Sequence, residues 1–156
     1  MFPLLRLFQQ LVSYNKSFII LLIHANLHQV NQGIDGPDLA AIHWEGDSRE
    51  VLAGFPEEVR GSLGFALYEL QRGRPSSVAT RRMESIGSGV YELKEADERT
   101  WYRVIYLSKI DGVIYVLHSF EKQSRKTDRR GLNIAKERLS LVMQRIRDRR
   151  KHASAQ

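Results

Sequence analysis

Tyr102-Arg103-Val104-Ile105-Tyr106-Leu107 and Val113-Ile114-Tyr115-Val116-Leu117, joined across a Lys109–Gly112 turn, decide how this chain is read. Both runs are rich in β-branched and aromatic residues, the types that fit a pleated, packed surface. Asp111-Gly112 between them is a hairpin signal, because glycine accepts the positive φ such turns require. Each run is apolar at odd and even positions alike, which predicts central strands covered on two faces rather than an edge. Into this apolar hairpin the sequence sets Arg103 and His118, and at its exit come Lys122, Arg125 and Lys126. A cation within a strand and cations at a strand's end can converge on one patch suited to a polyanion.

Working outward, the charge is uneven. The 156 residues carry a net +6, yet residues 121–156 alone hold 12 basic and 4 acidic groups. Residues 1–38 are neutral, with two of each sign, and residues 39–120 carry 10 basic against 12 acidic. Such asymmetry points to an anionic partner, a nucleic acid or the acidic part of a protein. A solvated, arginine-rich helix end is the alternative. There is no cysteine, so disulfides and thiolate chemistry are not expected. The five histidines, at 24, 28, 43, 118 and 152, show no tight ligand grouping, so no metal and no cofactor are expected.

Upstream, Ala40–Glu45 predicts a first strand, and Ser48 or Asp47 can cap a short helix over 49–54. Pro56 suits the first position of the next helix, with Glu57 and Glu58 favourable to its dipole. Val59, Leu63, Leu67 and Leu70 recur at helical spacing and read as a core stripe ending at Gly73-Arg74-Pro75. A loop follows, then strand Val90–Lys94, a polar turn at 96–99, and the hairpin. Leu132, Ala135, Leu139, Val142 and Ile146 form a last helical stripe, with Lys136, Arg138, Arg145 and Arg147 on the opposite face. The order β-α-α-β-β-β-α predicts an α+β domain: a small, mostly antiparallel sheet with helices packed on it. Residues 39–150 form that domain, and residues 151–156 read as a frayed tail.

Residues 1–38 read as an N-terminal extension. Its apolar run, Ser17–Ile23, falls short of the roughly 20 residues a membrane span needs. No small-residue cleavage site follows it. An extra helix on the domain, a membrane-proximal arm, and a non-native stretch translated from a misassigned start codon stay open, the last favoured. The segment Ile34–Asp38 reads as a linker. A cytoplasmic protein with no membrane partner is expected.

From about residue 39 to 146 the chain resembles the phage-derived, HigB-type branch of the RelE-like toxin superfamily. The matching segments, in order, are Phe55–Arg60, Gly64–Tyr68, Gly89–Leu93, Tyr102–Tyr106, Tyr115–Lys122 and Ala135–Leu139. The resemblance implies a RelE-like toxin fold and the toxin half of a type II toxin–antitoxin system. It implies a ribosome-dependent endoribonuclease that cuts mRNA, and as partners the ribosome, mRNA and a cognate antitoxin, expected to be of helix-turn-helix type. Arg103 falls at the family's strand arginine and Lys122 near its basic position after the last strand. Two departures stand out. Thr127-Asp128-Arg129-Arg130 replaces a longer lysine-rich loop, and Glu92 stands where some relatives carry lysine, which leaves the general base open.

Metal-independent RNA cleavage needs a base to take the 2′-OH proton, a cation to stabilise the phosphorane oxygens, and an acid for the leaving 5′ oxygen. Arg103 can supply charge, since arginine stays protonated and its planar fork grips phosphate. His118, Lys122 and Lys126 can move protons, a lysine only if neighbouring cations make its ammonium more acidic. Arg125 and Lys94 can bind the RNA backbone, and Tyr91 and Tyr102 can stack on bases. Each has a plainer alternative. Arg103 can close an ion pair to Glu92 or Glu121, His118 can be a hydrogen-bonded core histidine, and Lys122 and Lys126 can be solvated loop cations. If Arg103 faces a cleft, its removal should leave folding intact. Two other function classes fit the same residues: a catalytically inert binding module of this fold, and a basic RNA- or ribosome-binding protein.

Overall fold

The computed structural model describes residues 39–122 and 129–155. The apolar run 17–23, the linker at 34–38, Arg125, Lys126 and the 127–128 departure lie outside them.

The hairpin forms as its sequence predicts. Strand β4 (Trp101–Ile110) runs into β5 (Val113–Lys122), and the turn has φ 50° at Asp111 and 79° at Gly112. Positive φ at both central residues is the turn whose twist matches paired strands. Three more strands complete one sheet: β1 (Ala41–Trp44), β2 (Ala79–Arg82) and β3 (Val90–Ala96). Their order is β1-β5-β4-β3-β2, so β4 is the middle strand and β5 is also interior. All neighbours are antiparallel except β1, which lies parallel to β5.

Because both faces of β4 and β5 are apolar, helices cover both. Helix α1 (Ser48–Ala53) and helix α2 (Glu57–Gln71) lie on one face. There Leu52, Phe55, Val59, Leu63 and Leu67 pack with Leu93, Tyr102, Val104, Tyr106, Ile114 and Val116. Helix α3 (Arg129–Ser154) covers the other, where Ala135, Val142 and Ile146 meet Val90, Ile105, Leu107, Tyr115 and Leu117. Each valine, leucine, isoleucine or phenylalanine among them contributes about 1.5–3 kcal/mol when taken from water. The alternation is broken once. Ile105 pairs with His118 but Tyr106 with Val116, leaving Leu117 as an extra residue on β5. This bulge keeps Leu117 and His118 on the same, α3-facing side.

Four expectations change. The loop after α2 contains a strand, β2, whose four residues are all exposed. With no apolar alternation of its own, it exists through its ladder to β3. Pro56 sits one place before the helix, with ψ 146°, and its carbonyl accepts the Arg60 N–H at 2.8 Å. Asp47 takes the N-cap position of α1 but makes no side-chain cap. The last helix does not fray at 151; it continues to Ser154. Among the described residues no helix is long and apolar enough to cross a membrane.

Candidate functional site

Period-two alternation in β3, β4 and β5 sorts the charges between the two faces of the sheet. On the α3 side Lys94 pairs with Arg103, Arg103 with Phe120, and Trp101 with Lys122. On the α2 side, Tyr102 lies between Glu95 and Glu121. The cations Lys94, Arg103 and Lys122 therefore share one face at one end of the sheet, and the acids next to them in sequence point the other way.

Arg103 lies on the middle strand, β4. Its Nη1 donates to Glu92 Oε1 at 2.6 Å, and Arg81 Nη2 lies 3.3 Å from the other oxygen, Oε2. The Glu92 side chain is 0% exposed and that of Arg103 17%. Of the two alternatives left open for the Arg103 ion pair, Glu92 is the partner; Glu121 sits on the other face. The pair is underbonded: Glu92 Oε2 and Arg103 Nε are buried without a hydrogen-bond partner. Arg103 thus has a donor that its protein surroundings do not satisfy.

His118, beside them on the same face, is buried at 7% exposure. Its ring stacks on Phe120 with centroids 5.2 Å apart. Arg138 Nη1 lies 3.3 Å from His118 Nδ1. A guanidinium only donates, so in this contact Nδ1 is placed to accept. Lys94 and Lys122 are half-buried. Lys94 Nζ lies 5.6 Å from the centroid of the Trp101 ring. Trp101, 47% exposed, was not among the residues the sequence singled out. Its two-residue spacing from Arg103 was the available signal.

The two tyrosines do not join this set. Tyr102 is buried in the α2-side core, its ring 4.9 Å from Phe55. Its hydroxyl donates to Asp97 Oδ2 at 2.7 Å. That bond raises the Tyr102 hydroxyl above its ordinary value and holds the Asp97 carboxyl below its own. Tyr91 stacks on Tyr106 at 5.7 Å and accepts from Arg82 Nε at 3.3 Å. Burial, with the neighbouring Tyr91, pushes Tyr106 up to about 12. These rings line an open hollow under the end of α2, with Leu70, Val78 and Ile114, and the sheet itself separates them from Arg103.

The arginines of α3 also divide. Arg138 and Arg145, expected on a solvent face, turn to the β1–β5 side. Arg138 donates to the Leu117 carbonyl at 3.0 Å and to Asp47 Oδ1 at 2.6 Å, and Arg145 pairs with buried Glu45. The Arg138 hydrogen bond holds the Asp47 carboxyl below its usual 3.8. Farther on, Arg149 reaches the Tyr115 hydroxyl at 2.6 Å and Arg150 grips Asp111 at 3.0 Å. Much of the C-terminal positive charge therefore ties the helix to the sheet.

Residues 50–140 match the family described as Phage derived protein Gp49-like (DUF891). The chain belongs to this family. The Gp49-like family falls in the RelE/ParE toxin-like group of toxin–antitoxin systems, and an antitoxin partner follows from that membership. The five-stranded α+β architecture agrees with a small RelE-like fold. No curated protein and no solved structure matches the chain.

Proposed function

We propose that this Gp49-like protein is a ribosome-dependent mRNA endonuclease of the HigB-type branch, active in the cytoplasm. Residues 39–150 are the toxin domain and residues 1–38 a dispensable extension. The observation that carries this proposal is the sorting of Lys94, Arg103 and Lys122 onto one sheet face, away from Glu95 and Glu121. A phosphodiester backbone is the ligand that suits such a face.

In this mechanism Arg103 stabilises the phosphorane oxygens as the 2′-OH attacks, and Glu92 is its positioning residue. Holding the guanidinium in place before the reaction lets it meet developing charge without reorganisation. Proton transfer falls to His118, Lys122 and Lys126, and Lys94 and Arg125 hold flanking phosphates. The antitoxin, a helix-turn-helix protein encoded beside the toxin, covers this cationic face.

Induced expression followed by primer extension on cellular messages tests the proposal. Growth arrest with new 5′ ends inside translated codons is the expected result. The Arg103–Glu92 pair also favours an inert relative, in which the guanidinium is purely structural. That relative would bind the antitoxin but leave growth and messages intact.

A further inference from the structure

Trp101 is the largest side chain on the cationic face and its most exposed aromatic, at 47%. An exposed indole in a strand forgoes burial, although an α2-side core lies just across the sheet. Alternation puts Trp101 in phase with Arg103, and its cross-strand partner is Lys122. Lys94 Nζ stands 5.6 Å from the ring centroid. The ring is therefore flanked by cations on both neighbouring strands, while Glu95 and Glu121 point through the sheet.

We propose that Trp101 is a stacking platform for one unpaired nucleobase of the bound RNA. Lys94 and Lys122 grip the phosphates on either side of that nucleotide. This deepens the proposed nuclease function and rests on it. A flat π-surface accepts any base, and cations at its edge suit the backbone that carries the base; together they are what single-stranded nucleic acid needs. Trp101 also gives the cationic face an aromatic group, whereas Tyr91 and Tyr102 lie on the other side of the sheet. Because stacking tolerates every base, Trp101 holds RNA without choosing its sequence.

The chain has two tryptophans, so Trp44→Phe leaves Trp101 as the single indole reporter. The probe is a short, mixed-sequence 2′-O-methyl oligoribonucleotide, which has no free 2′-OH to cleave. The expected result is saturable quenching of Trp101 emission on titration. Read by the anisotropy of the same oligonucleotide carrying a 5′ fluorescein, Trp101→Ala should weaken binding roughly 5- to 150-fold, the range of one lost base stack, and Trp101→Phe should recover most of it. Lys94→Ala should instead lower the slope of log K against log salt by about 0.7, one phosphate contact on a single strand. Melting curves of each variant confirm that it is folded. Equal affinity of the wild type and Trp101→Ala would overturn the stacking role and leave the RNA function standing. A wild type that does not bind the oligonucleotide even at low salt would overturn both. Quenching by the co-expressed antitoxin but not by the oligonucleotide would overturn the proposal in favour of protein docking.

Discussion

Removing the Arg103 side chain deprives a carboxylate with no solvent contact of its nearest cation. After Arg103→Ala, Glu92 keeps, among the described residues, Arg81, whose Nη2 is 3.3 Å from Oε2 and whose side chain is 59% exposed. Breaking a buried pair by deleting one partner costs about 3–5 kcal/mol, because the remaining charge loses its compensation. For a domain of this size, with roughly 3–5 °C per kcal/mol, the melting temperature should fall by roughly 10–20 °C. An arginine facing an open cleft would be removed without that loss; the pair with Glu92 is the alternative that the sequence left open. It also means that lost activity in Arg103→Ala says little about chemistry. Glu92→Leu combined with Arg103→Met separates the two roles. It replaces the pair with apolar groups of similar volume, which is often neutral or stabilising by about 1–4 kcal/mol. The double variant should melt at or above the wild-type temperature by circular dichroism. If Arg103 meets developing charge on phosphate, message cleavage should still fall by about 10²–10³. An Arg103→Ala protein that melts with the wild type would refute the energetic reasoning. A double variant that cleaves messages at the wild-type rate would refute the catalytic role.

The Asp47–Arg138 bond should contribute to acid stability. Because the folded-state Asp47 value lies below its ordinary 3.8, its stabilisation is present above that value and disappears as pH falls through the lower, folded one. Urea unfolding against pH should therefore show a flatter acid limb below about pH 4 for Asp47→Asn than for the wild type. Gly46→Ala should destabilise by about 1–3 kcal/mol, because φ there is +55° and a Cβ would meet the Arg138 guanidinium; denaturant titration reads the loss. A chain beginning at Leu39 should keep its far-UV spectrum and melting temperature, since the described residues between 40 and 146 themselves supply two core clusters. Insolubility or a large fall in melting temperature would place the apolar run 17–23 in the core.

By itself the sequence determined the elements whose signals are local. The β4–β5 hairpin, its Asp111-Gly112 turn and the apolar stripes of the two long helices all came from residue type and spacing, and with them the α+β class. Alternation even placed Lys94, Arg103 and Lys122 in phase, once the strands were paired. Tertiary structure decided everything that depends on partners far along the chain. Strand β2 has no pattern of its own and forms because β3 offers it a ladder. The parallel seat of β1 beside β5 is set by neighbours about 70 residues away in sequence. The bulge at Leu117 decides the face of His118, and no spacing rule announces it. Above all, sequence gives the number of charges but not their pairing. Whether Arg103 meets Glu92 or a phosphate, and whether Arg138 and Arg145 face water or bind Asp47 and Glu45, depends on which side chains the fold brings within a few ångströms. At that range Coulomb attraction and desolvation, both steep in distance and burial, decide the outcome.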